Sequence, residues 1–199
     1  MGVCSVSVRR WRRFVCGSLL LGGLALGSQA AVLVSTQASW RWRPGTNEAS
    51  APTRLWREVG FADTQFTTAP APFWYGDVLE GGTQIQGMRD VYRCIFLRKS
   101  FVITNLAEIG GLRLASLVDD GFVAWINGTE VLRVRMPGAT GTEVTTTTTL
   151  AQNAPEPISF ETDSLPTPPS YLVNGTNVLA VQVFQSNLSS SDLAFDCAL

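Results

Sequence analysis

The sequence predicts an all-β fold, an antiparallel two-sheet β-sandwich. Three observations carry that expectation. The first is a hairpin legible in Asp119 to Arg133. There, Asn127-Gly128 supplies the pair of residues that tolerate the positive φ of a tight primed turn. Phe122 to Ile126 and Thr129 to Arg133 flank it with the aromatic and β-branched residues that suit a pleated, half-buried surface. The second is a series of seven or eight short strand-like stretches with turn signals between them. The third is the lack of any convincing helical period in the apolar residues after residue 30.

The chain has 199 residues and opens on a segment that is read apart from the fold. Arg9, Arg10, Arg12 and Arg13 form a basic cluster, Phe14 to Gly27 is apolar, and Ser28-Gln29-Ala30 places small residues where a signal peptidase cuts. Residues 1–30 are therefore expected to be a secretory signal peptide. The other reading is an uncleaved anchor, although the apolar run is short for a span. Without its four arginines, 11 of the 15 basic residues remain against 16 acidic ones, so the charge moves from −1 to −5. That balance speaks against nucleic acid and anionic membrane surfaces as partners. No later apolar run is long enough to span a bilayer.

Residues 31–199 are long enough to bury a core without staples. Two of the four cysteines fall in the signal segment, leaving Cys94 and Cys197. In an exported protein this pair is either a disulfide or two buried thiols, and the sequence leaves both open. The chain has no histidine, which removes histidine-based triads and metal sites.

In order, residues 31–90 are irregular and aromatic. Trp40, Trp42, Trp56, Phe61, Phe66, Phe73, Trp74 and Tyr75 lie among prolines, glycines and threonines. They are expected to wrap the sandwich formed by residues 91–199 and to pack against it, each ring being either core or a stacking platform. Val91 to Thr104 and Leu112 to Val118 are strand candidates, and Asp119-Asp120-Gly121 turns the chain into the hairpin. Thr140 to Thr149 is low in complexity, an edge strand or a loop. Ile158 to Thr162 is a short strand candidate. Asn177 to Gln185 is nearly all apolar, as befits a strand covered on both faces. Asp192 to Leu199 alternates, with Leu193, Phe195, Cys197 and Leu199 on one side.

A joint pattern now stands out: Phe96-Leu97-Arg98-Lys99-Ser100-Phe101, Asp119-Asp120-Gly121-Phe122, Trp125-Ile126-Asn127-Gly128, Met136-Pro137, Asn174-Gly175-Thr176-Asn177-Val178-Leu179-Ala180-Val181 and Ser191-Asp192-Leu193-Ala194-Phe195-Asp196. Together they resemble a galactose-binding-like jelly-roll module of the kind found in large exported proteins of environmental bacteria. More distantly, the pattern is similar to the sugar-binding β-sandwich domain of some glycoside hydrolases. It covers nearly all of residues 40–199. There are departures: Phe184-Gln185 stands where the family shows His-Gln, Arg135 where Asn is common, Trp74 where Gly is usual and Phe66 where Trp is usual.

The resemblance implies a non-catalytic module that binds carbohydrate or serves adhesion, secreted or at the cell surface beside other domains of a longer protein. A purely structural accessory role is the alternative, and a hydrolase in its own right the least supported. A ligand groove is expected at loop ends, with Trp74 or Tyr75 as platform and Asp77, Asp120, Asn187 and Asp192 as polar partners. Asp119 and Asp120 are read either as ligands of a structural calcium ion or as turn residues accepting backbone N–H bonds. Asp192 and Asp196 share a face about 13 Å apart by strand rise, wider than the usual catalytic carboxylate spacings. No phosphate loop, nucleophile elbow or C-x-x-C is present.

Overall fold

In the computed structural model, the described residues are 1, 31–76, 79–156, 158–168 and 170–199. The segment Val32–Leu199 forms one compact unit. The expected signal peptide falls on residues outside those described. Among the described residues no helix is long and apolar enough to cross a membrane.

The fold is all-β, as the sequence predicts. Among the described residues, eleven strands form two sheets: β1 (Ser39–Pro44), β2 (Thr67–Pro70), β3 (Phe73–Tyr75), β4 (Thr83–Gln84), β5 (Cys94–Ile103), β6 (Arg113–Asp119), β7 (Gly121–Ile126), β8 (Thr129–Val134), β9 (Glu161–Ser164), β10 (Gly175–Phe184) and β11 (Leu193–Ala198). The first sheet has the order β2-β1-β5-β10-β7-β8 and the second β4-β3-β11-β6-β9. Every pairing is antiparallel except β3 with β4. The aromatic segment contributes four of these strands, which its lack of period hid. The threonine tract forms a turn-containing loop and not an edge strand.

The hairpin forms as read, with Asn127 and Gly128 at φ of 50° and 82°. Its tip is held from behind by amides. Asn127 Nδ2 donates to the carbonyl of Tyr171 and to Asn177 Oδ1, and Val178 N–H donates to Asn127 Oδ1.

Alternation explains the core. Ile95 and Leu97 of β5, Leu179, Val181 and Val183 of β10, and Phe122, Ala124 and Ile126 of β7 face Phe73, Leu114, Val118, Leu193 and Phe195 of the other sheet. The residues between them face the opposite way. Phe96, Val123, Trp125, Val178, Ala180 and Phe184 pack under a second layer made of Ala49, Trp56, Phe66, Met136, Val144 and Ala151. The six-stranded sheet is thus covered on both faces, which accounts for the unbroken apolar run in β10.

That arrangement decides the cysteines. Cys94 belongs to the outer cluster and Cys197 to the inter-sheet cluster, so the six-stranded sheet lies between them. Both are free and buried, and no disulfide joins them. Gln182 Nε2 donates to Cys94 Sγ at 3.3 Å, and burial pushes that thiol up to about 12. Both thiols are expected to resist a thiol reagent in the native protein and to react once it unfolds. A reductant should leave the melting temperature unchanged; a drop in Tm would mean that a disulfide exists.

Candidate functional site

One cleft collects most of the residues that the sequence singled out. It lies where β6 turns into β7 and where the loops before β9 and β11 meet. Its walls include Arg89, Asp119, Asp120, Asn153, Glu156, Ser186, Asn187 and Asp192, around a volume of about 450 Å³. Asp119, Asp120, Asn187 and Asp192 are brought together here. Asp77 lies outside the described residues.

Asp120 holds the walls in place. Its Oδ1 accepts from Ala154 N–H at 3.2 Å and its Oδ2 from Ser186 N–H at 2.6 Å, tying two loops to the turn. Arg135, just past β8 and at φ 51°, sends its guanidinium under the same turn. Its Nε donates to the Asp120 carbonyl at 2.5 Å and its Nη2 to the Val118 carbonyl at 2.8 Å. These backbone acceptors would otherwise be buried without partners.

Asp119 differs from its neighbour. It is 3% exposed, and its Oδ2 has no hydrogen-bond partner among the described residues. Burial first, then the carboxylates of Asp120 and Asp192, raise its pKa to about 8. A carboxyl that holds its proton more tightly folded than unfolded stabilises the fold at low pH and loses that contribution as pH rises from about 4 through about 8. Asp196, also raised by burial, acts in the same sense. We expect Asp119→Asn to flatten the decline in Tm between pH 5 and 8 and to stabilise the protein at pH 8 by about 1–3 kcal/mol. Parallel Tm profiles for the two proteins would contradict this.

The rim is serine- and asparagine-rich. Ser190 Oγ and Ser191 Oγ donate to the two oxygens of Asp192 at 3.3 and 3.1 Å, and Ser189 Oγ donates to Asn187 Oδ1 at 2.9 Å.

The two predicted platforms separate. Strand alternation points Tyr75 inward, where it packs on the inter-sheet cluster. Its hydroxyl donates to the Ser190 carbonyl at 2.8 Å and accepts from Gln185 Nε2, so it buttresses the cleft from below. Trp74 is half-buried on the outer face, its Nε1 donating to the Gly81 carbonyl at 3.0 Å. Trp74 pairs with Ala194, and Ala194 pairs with Asp119. The ring therefore stands in one cross-strand row with the buried carboxylate, two strands or about 10 Å away.

The calcium expectation meets a different arrangement. Both oxygens of Asp120 are engaged by backbone N–H groups of distant loops and not by those of its own turn. Among the described residues no three Asp, Glu or Cys side chains are gathered to hold one ion. The residues present do not fit a ready-made metal centre.

No family model matches the chain, and no curated protein matches it. Among solved structures, it is similar to the β-glucuronidase of Bifidobacterium dentium complexed with coumarin-3-O-glucuronide, at 16% identity and a TM-score of 0.45, over 77% of this chain and 20% of that one. It is similar to a β-glucuronidase of an uncultured Clostridium sp., at 14% identity and 0.46, over 85% and 29%. A calcium-binding mutant of Bacteroides uniformis β-glucuronidase 2 matches at 14% identity and 0.46, over 84% and 18%. The chain spans less than a third of the length of each.

Sequence reasoning missed Arg89, Arg135, Asn153, Glu156 and Gln185. Of these Gln185 left a trace as the matching half of the family's His-Gln pair, and Arg135 as a departure from Asn at a position whose positive φ asparagine tolerates well.

Proposed function

We propose that this protein is a non-catalytic, exported carbohydrate-binding module that works beside other domains of a longer protein. The observation that carries this reading is the convergence of Asp119, Asn187 and Asp192 on one loop-end cleft. Its rim of hydroxyls, amides and carboxylates suits a ligand that both donates and accepts many hydrogen bonds. Trp74, half-buried in the same row as Asp119, offers a ring against which a sugar face can rest. The lack of histidine removes imidazole acid–base chemistry from the cleft.

The test is intrinsic fluorescence titrated with a panel of soluble polysaccharides, with and without calcium. A saturable change is expected, weakened at least about tenfold by Asp192→Ala, the worth of one charge-assisted hydrogen bond. Trp74→Ala should weaken it too while leaving the thermal melt nearly in place. Calcium dependence would restore an ion at Asp119 to the account.

A structural accessory role is the second reading. Its support is that Asp120, Asn187 and Asp192 already have partners within the protein, and that Tyr75 is packing. No response from any polysaccharide, with both variants folded, would decide for it.

A further inference from the structure

The charge of the cleft restricts what can occupy it. Asp119, Asp120, Glu156 and Asp192 all line it, and Arg89 is the one basic side chain among the lining residues. The guanidinium beneath, that of Arg135, donates to the carbonyls of Val118 and Asp120 and leaves the Asp119 carboxylate alone. Asp119 is the strongest sign of an intended ligand. It is almost wholly buried, it lines the cleft, and one of its oxygens accepts nothing. Natural structures rarely leave such an acceptor empty unless something else fills it.

The distribution of the carboxylates matters as much as their number. They are spread around about 450 Å³ and are not gathered on one point, so a bare ion would meet too few of them. A ligand that is extended, rich in hydroxyls and positively charged would meet several at once. An anionic ligand would place like charge against the carboxylates of Asp120, Glu156 and Asp192.

Resting on the carbohydrate reading above, we propose that the cleft selects glycans bearing free amino groups, with the Asp192 carboxylate receiving the ammonium, the unpartnered Asp119 carboxyl accepting a further hydrogen bond from it, and the serine and asparagine rim receiving the hydroxyls. N-acetylated and uronic-acid glycans of the same length are the disfavoured ligands.

The test is calorimetric titration of the purified protein with three oligosaccharides of equal length: glucosamine, N-acetylglucosamine and galacturonate oligomers. The glucosamine oligomer is expected to bind about tenfold or more tighter than the acetylated one, the gain of one ammonium–carboxylate hydrogen bond. Asp192→Asn should bring the two to near equality, and Asp119→Ala, which removes the acceptor, should weaken the preference with its fold confirmed by thermal melt. Glu108→Gln, on the exposed turn after β5, controls for diffuse charge and should change nothing. Equal binding of amine and acetyl forms, or binding of galacturonate as tight as glucosamine, would overturn the amine preference while leaving the carbohydrate reading intact. If none of the three binds, and no polysaccharide of the wider panel does, both readings fail. A preference that Glu108→Gln erodes as much as Asp192→Asn does would reduce it to diffuse charge and overturn the site.

Discussion

Trp56→Ala is expected to lower stability by about 3–5 kcal/mol, as large-to-small changes of buried aromatics do. Trp56 is wholly buried although it lies in a single 3-10 turn (Leu55–Arg57) with no sheet to hold it. It meets Phe96 edge-on at 4.9 Å and Trp125 at 5.6 Å, and its neighbour Arg57 lies 3.9 Å over the Trp125 ring. Its backbone is engaged as well: its N–H donates to Ser50 Oγ, and its carbonyl accepts from the buried guanidinium of Arg98. Loss of the ring would leave a cavity under the outer layer and loosen the cover over Arg98 and Asp63. For a unit of this size the drop in Tm should be roughly 10 °C. Leu55→Ser on the same turn, 45% exposed, should shift it little. Calorimetry on the pair checks this; similar melts for both variants would mean that the outer layer contributes nothing.

Asn177→Asp is expected to cost a comparable amount, about 3–5 kcal/mol at pH 7, by placing a charge where none is matched. The native side chain is fully buried. Its Nδ2 donates to the carbonyls of Val173 at 2.8 Å and Gly175 at 3.0 Å, and its Oδ1 accepts from Val173 N–H and Asn127 Nδ2. A carboxylate of the same shape would lose both donors and turn an oxygen toward two carbonyls. The variant should recover part of its stability on acidification, since the protonated carboxyl can donate again. Urea unfolding at pH 7 and pH 5 measures both parts. A variant as stable as the native protein at pH 7 would show that the amide is incidental.

The sheets were legible because their signals are local. Asn127-Gly128, the alternation of Leu193 to Leu199 and the apolar run in β10 each announce one element without help from the rest of the chain. The cleft was legible in half. Asp119, Asp120, Asn187 and Asp192 sit in turns whose composition marks them. Asn153 and Glu156 come from a proline-rich stretch that only the fold carries to the same place, and Asp120 Oδ1 on Ala154 N–H is what holds it there. β1 to β4 escaped notice because they are short, and because β1 and β3 also find partners far along the chain: Trp40 and Trp42 alternate inward, yet Arg41 and Arg43 face outward under Asp63, Gln65 and Asn47. Of the two rings offered as a platform, strand alternation turns Tyr75 inward, a placement that only its pairing with β11 reveals.

The strand order also sets when the molecule can form. β5 pairs with β10 some eighty residues later, and β3 pairs with β11 more than a hundred residues later, as the register of Cys94 with Phe184 and of Tyr75 with Leu193 shows. The strand that joins β3 to β6 is the last one, and Leu33 and Val34 both donate to the carbonyl of Leu199. The six-stranded sheet is complete once β10 has been made, whereas the five-stranded one cannot close before β11. Both form through non-local pairings, which belong to the slow, millisecond-to-second class.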